Sequence, residues 1–173
     1  VAGAPVLGPV SRWTEYPDVH FLVAIGSPRV RRKVVAAMEQ AGHPRFATII
    51  HRSVQSSPDV SIGAGSVICA NVAMTTNIAI GSHCIINLGC TVGHDVVIGD
   101  FCTLAPLVAV SGNVSLGSGA EIGTGACIRQ GLALDSGCLV GMGSVLTKDV
   151  PENALWMGNP AAYRRDIAPW LET

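Results

Sequence analysis

Ile80-Gly81-Ser82-His83-Cys84-Ile85-Ile86-Asn87-Leu88-Gly89-Cys90-Thr91-Val92-Gly93-His94-Asp95-Val96-Val97-Ile98 is the stretch whose reading decides the fold. Ile80, Ile86, Val92 and Ile98 recur every sixth residue, and the same register runs without a slip from Ile62 to Leu146. A helix repeats every ~3.6 residues and a flat strand every two, so neither explains a period of six. A parallel β-solenoid does, because each coil repeats the same short strand and corner. A second column, four residues after each aliphatic, is small or apolar. It runs from Ser66 through Val72, Ile78, Cys84 and Cys90 to Cys138 and Ser144. Glycine often follows the aliphatic, as in Ile62-Gly63, Val92-Gly93 and Leu116-Gly117. Corners need positive φ and close backbone approach, and glycine at this place is expected to supply both.

The first fifty residues read differently. His20 to Gly26 reads as a buried strand. Ser27 suits an N-cap, Pro28 the first helical turn, and the helix continues to a stop at Gly42. Arg45 to Ile50 reads as a second strand, which completes one βαβ unit. The expected class is mainly β: residues 1–52 form a small α/β domain, and residues 53–173 a parallel β-helix with a short C-terminal extension.

Composition narrows the function classes. The net charge of −1 argues against nucleic-acid or anionic-membrane binding. Mean hydropathy is +0.44 and residues 60–94 hold no Asp, Glu, Lys or Arg. Ser, Thr, Asn and Gly interrupt the apolar residues throughout, so this is not a membrane span. No signal peptide is visible. Cys84, Cys90, Cys102 and Cys138 lie in the inward column and no CxxC pair exists, so they read as core hydrophobes in a reducing compartment. A cytoplasmic protein is expected.

The hexads resemble the left-handed parallel β-helix of bacterial acyltransferases, in which three hexads make one triangular coil of eighteen residues and residue i stacks on i+18. The left hand, an exception to the right-handed crossover rule, comes from the resemblance. More specific segments resemble the sugar O- and N-acyltransferases that include sialic-acid O-acetyltransferases and bacillosamine-type amino-sugar N-acetyltransferases. They are Gly3-Ala4-Pro5-Val6-Leu7-Gly8, Val23-Ala24-Ile25-Gly26, Phe46-Ala47-Thr48-Ile49-Ile50-His51, Gly93-His94-Asp95-Val96-Val97-Ile98-Gly99-Asp100-Phe101, Ser111-Gly112-Asn113-Val114, Lys148-Asp149-Val150-Pro151 and Gly158-Asn159-Pro160-Ala161. The family normally begins with a further strand, glycine-rich turn and helix that help hold a nucleotide-sugar acceptor. This sequence starts at Val1, after that piece, which implies a truncated chain or a different acceptor site. The helix N-terminus after Gly26-Ser27-Pro28 is a second candidate for anion contact.

Acyl transfer from a thioester needs a base for the nucleophile's proton and a donor for the developing oxyanion. His83 and His94 both fall at corners, and only His94 has an acid beside it, Asp95. From the residues alone neither is singled out. The resemblance casts His94 as general base and Asp95 as its orienter, the logic of a triad without a covalent nucleophile. Steps of eighteen from His94 reach Gly112, Gln130 and Lys148. At ~4.8 Å per coil, Lys148 would lie roughly 14 Å from His94. That column suits acetyl-CoA, with its thioester at His94 and Gly112 and its phosphates near Lys148 as a point charge. Thr103, where some relatives carry a second His, and Thr76 are the expected substrate contacts. The resemblance further implies a homotrimer, a sugar or nucleotide-sugar acceptor, and no metal.

Three readings follow: a sugar acetyltransferase, with an acyltransferase acting on another small molecule as its variant; a γ-carbonic-anhydrase-like zinc solenoid; and a non-catalytic trimeric scaffold. The zinc enzyme uses a His-x4-His pair, a spacing absent from His20, His43, His51, His83 and His94.

Overall fold

The structure, a computed structural model, describes residues 3–170. Its body is a parallel β-solenoid of two-residue rungs on three faces. The first face stacks Ser61–Ile62, Ala79–Ile80, Val97–Ile98, Ser115–Leu116 and Ala133–Leu134. The second runs from Val67–Ile68 through Ile85–Ile86, Thr103–Leu104 and Glu121–Ile122 to Leu139–Val140. The third stacks Ala73–Met74, Thr91–Val92, Ala109–Val110, Cys127–Ile128 and Val145–Leu146. Partners on each face are eighteen residues apart, as Val97 is from Ser115.

The six-residue column is the second residue of every rung. From Ile68 to Leu146 each of its members is buried, as is each member of the second column from Ser66 to Ser144. The two columns together fill the bore, so the period read from the sequence is the packing period of the core. The four inward cysteines are buried free thiols. Burial pushes the Cys138 thiol up to about 12.

The glycines after the aliphatics do less than expected. A Cβ on Gly93 would sit 2.5 Å from the Gly112 nitrogen, and one on Gly117 2.4 Å from the Ser136 nitrogen. Those positions serve close approach of the next coil. Positive φ falls two residues later, at a separate corner position that holds glycines such as Gly65, Gly89 and Gly119 but also Asn71, Asn77, His83, Asp95, Phe101, Leu107 and Asn113. Asn and Asp tolerate this left-handed conformation better than other side chains.

Before the solenoid, β1 (His20–Phe21) pairs in parallel with β2 (Arg45–Phe46), joined by helix α1 (Pro28–Ala41). The strand expected over Arg45–Ile50 is divided. Ile49–Ile50 pairs with Val67–Ile68, so the solenoid's second face starts there, ahead of residue 52. Ser27 precedes α1 as expected but makes no side-chain cap bond. After the last coil, Ala154–Gly158 and Ala161–Asp166 form an antiparallel hairpin on the second face. No helix among the described residues is long and apolar enough to cross a membrane.

Candidate active site

Asp95 occupies the positive-φ position (φ 58°) of the corner between the third and first faces. That conformation turns its carboxylate back toward the preceding residue. His94 Nδ1 lies 2.7 Å from Asp95 Oδ2, and both side chains are about half exposed. An ionised carboxylate only accepts, so His94 donates through Nδ1–H and its Nε2 keeps a free lone pair. The Asn77 amide, in the coil below, donates to Asp95 Oδ1 at 2.6 Å. The Asn77 amide first, and then His94, hold the Asp95 carboxyl below its ordinary range.

The coil above completes the corner. Asn113 N–H donates to the His94 carbonyl, and Gly131 N–H to that of Gly112. Gly112 therefore stacks on His94, so closely that a Cβ there would lie 2.5 Å from His94 Nε2. Gln130 follows one coil higher and is exposed. Lys148 is exposed too, at the point where the register tightens: Arg129 still bonds Leu146, seventeen residues on, but Leu134 bridges to Val150 and Asp149 Oδ1 accepts from Ala133 N–H. Below, Thr76 stacks under His94, its carbonyl accepting from Asp95 N–H and its hydroxyl donating to Asp59 Oδ2 at 2.5 Å.

Thr103 is not brought to this corner. It lies on the second face, buried, and its hydroxyl donates to the Gly26 carbonyl at 2.8 Å and accepts from Arg31 at 3.0 Å. It joins the N-terminal domain to the solenoid, and the hydroxyl expected to meet substrate is already committed. His83 leaves the contest for the base in the same way. It is buried between Phe46 and Phe101, with ring centroids 4.6 and 4.9 Å away, and burial pushes its titration down.

Two joint residues escaped the sequence reading. Arg31 is fully buried and spends its guanidinium on the carbonyls of Ile25, Gly26, His83, Phe101 and Cys102 and on Thr103. The Gly26-Ser27-Pro28 turn is thereby drawn onto the solenoid by its carbonyls. The available signal was a charge on the inward stripe Pro28, Arg31, Val35, Met38 of α1. Trp170, in the C-terminal tail, is buried beneath Arg29 and Arg32 and takes a 2.6 Å bond from its N–H to Asn153. Among the described residues no group of three or more His, Cys, Asp or Glu is placed to hold a metal ion.

No protein-family model and no curated protein sequence matches the chain. Solved structures do. Perosamine N-acetyltransferase from Caulobacter crescentus, in complex with CoA and GDP-perosamine, is 34% identical at a TM-score of 0.90, over 96% of this chain and 80% of that one. The acetyltransferase domain of PglB from Neisseria gonorrhoeae, in complex with acetyl coenzyme A, is 32% identical at a TM-score of 0.89, over 95% and 80%. WeeI from Acinetobacter baumannii is 35% identical at a TM-score of 0.78, over 94% and 81%. With the solenoid and the βαβ unit that precedes it both shared at these identities, the chain belongs to the hexapeptide-repeat sugar acyltransferases.

Proposed function

We propose that this acyltransferase moves the acetyl group of acetyl-CoA directly to the amine of a nucleotide-linked amino sugar, with His94 as general base. The observation that carries the reading is the His94 ring itself. Asp95 clamps its Nδ1, and its Nε2 edge faces Gly112, which has no side chain. The acceptor nitrogen attacks the thioester carbon while Nε2 takes its proton. The carbonyl becomes an oxyanion, and the Gly112 N–H, which no described hydrogen bond uses, donates to it. Collapse breaks the C–S bond, and the imidazolium returns a proton to the departing thiolate. Asp95 stabilises that imidazolium without taking its proton. The sugar and nucleotide preference follows the neighbours, one of which is complexed with GDP-perosamine. CoA runs along Gly112, Gln130 and Lys148, and Thr76 flanks the acceptor from below.

The same reading calls for a homotrimer. The N-terminal domain is docked at the corner between the first and second faces, through His83 and Phe101, while His94 stands at the corner between the third and first. One chain thus separates its α/β domain from its base, and a neighbouring copy brings the two together. The outward residues of the third face, Ala73, Thr91, Ala109, Cys127 and Val145, carry no charge, which suits burial against another chain.

The test is thiol release from acetyl-CoA with a panel of nucleotide-linked amino sugars, for the wild type and His94→Ala, alongside sedimentation. The reading expects turnover with at least one amine acceptor and a loss of about 10²–10⁴ in His94→Ala. Turnover that survives His94→Ala would reject the base, and a stable monomer at micromolar concentration the trimer.

A further inference from the structure

The base does not rest on Asp95 alone. Asp59, Asn77 and Asp95 are eighteen residues apart and occupy one vertical line of corners. Asp59 Oδ2 accepts the Asn77 backbone N–H at 3.0 Å and the Thr76 hydroxyl at 2.5 Å. The Asn77 side chain then reaches up to Asp95 Oδ1 at 2.6 Å, and Asp95 Oδ2 meets His94 Nδ1 at 2.7 Å. The bonds form one run over three coils that ends on the imidazole.

Backbone conformation does not explain why position 77 carries an amide. At φ 54° glycine, aspartate and asparagine are all accommodated. Packing does not explain it either, because the residue is exposed. Chemistry does. Asp95 is an acceptor only, so its lower oxygen needs a donor, and an aspartate at 77 would set two carboxylates against each other. With one oxygen held by Asn77 and the other by His94, the carboxylate plane is fixed. With Asn77 absent one oxygen loses its protein donor and the carboxylate turns more freely about χ2, which loosens its hold on His94 Nδ1–H, the bond that leaves Nε2 open.

We propose that Asn77 is a positioning residue for the acyl-transfer base: its amide pins the Asp95 carboxylate from the coil below and so sets which His94 nitrogen faces the substrate. This rests on His94 being the base. The titratable groups along this edge are Asp59, Asp95 and His94, with Arg129, Lys148 and Asp149 in the coils above.

The test uses the full chain as wild type, Asn77→Gly and Asn77→Asp, both replacements fitting the left-handed backbone so that the fold is kept. ¹⁵N NMR of the His94 ring reads the tautomer directly and needs no acceptor, so it decides the Asn77–Asp95–His94 link even if no acceptor is turned over. The wild type should hold the Nδ1–H tautomer, and Asn77→Gly should mix the two. In kinetics, Asn77→Gly should lower kcat about tenfold, a fraction of what the base itself supplies, with KM for acetyl-CoA unchanged. Asn77→Asp adds a carboxylate that favours the imidazolium, and should move the acid limb of the kcat/KM profile up by about one pH unit. A merely structural Asn77 would change thermal stability and leave the tautomer and the acid limb alone. Tautomer populations in Asn77→Gly equal to those of the wild type would overturn the proposal, as would an acid limb that stays put in Asn77→Asp.

Discussion

Gly112→Ala is the sharpest single perturbation of the site. The backbone there is outside the positive-φ set, so alanine is conformationally allowed and only its methyl matters. That methyl would stand 2.5, 2.7 and 2.9 Å from His94 Nε2, Cε1 and Cδ2. Carbon contacts settle near 3.5–4.0 Å, so the ring must retreat by about 1 Å. His94 is half exposed and free to do so, which keeps the cost in stability within about 0.5 kcal/mol. The cost in function is large. A 1 Å retreat stretches the 2.7 Å bond to Asp95 beyond hydrogen-bonding range or swings Nε2 off the acceptor, and displacement on that scale is worth about 10² in rate. Steady-state thiol release should show kcat about a hundredfold down with an unchanged melting temperature. The methyl acts through the ring, so its effect should shrink to under about threefold in a His94→Ala background. A Gly112→Ala enzyme with wild-type kcat would refute the reasoning. So would a hundredfold loss that persists without His94, which would mean that the methyl acts by crowding the thioester and not through the ring.

Arg31→Met removes the guanidinium's bonds to five carbonyls and Thr103 and leaves the carbonyls of Ile25, His83 and Phe101 without a donor, and denaturant unfolding should show a loss of roughly 3 kcal/mol or more. Trp170→Ala removes the ring beneath Arg29 and Arg32; hydrogen exchange should speed up in α1 while the solenoid rungs stay protected. Burial holds the His83 titration below its ordinary value of 6.5, so the stability tied to its neutral form is present above that value and lost as pH falls through the lower folded one. His83→Asn, which suits the left-handed corner, should flatten the decline of melting temperature below about pH 6.5 relative to the wild type. Lys148→Ala should raise KM for acetyl-CoA several-fold with little change in kcat, because a distant phosphate contact binds ground and transition states alike.

The fold was legible because every hexad repeats one constraint, and fifteen repetitions leave no rival period. The start of the solenoid was less legible, yet the signal existed. Ile50 lies on the same six-residue column as Ile62, with Ser56 interrupting it, and Val54 and Val60 pack on the core. The contacts around His94 were legible where the partners are neighbours in sequence, as with Asp95, or where the eighteen-residue step was applied, as with Gly112. The same step taken downward from Asp95 reaches Asn77 and Asp59. The packing of Thr103 was not legible, because position in a family pattern does not reveal what covers a residue. The cover comes from Arg31, seventy-two residues earlier in the chain, and no periodicity links the two.

The arrangement accounts for how a chain this uniform carries a localised chemistry. The bore repeats in every coil, so the inward columns are confined to small or aliphatic side chains. The corners can, because a side chain there points to solvent and only the backbone conformation is prescribed. One corner is spent on holding α1, with Phe101 and His83 as the stacked surface and Arg31 as the tie. Another carries, coil by coil, the edge we propose as the base: Asp59, then Asn77, then His94 with Asp95, then a bare Gly112. Each layer is set by the ladder spacing of the coil beneath it, so the imidazole is fixed by stacking rather than by burial. That allows a half-exposed histidine to be well oriented and open to solvent at once.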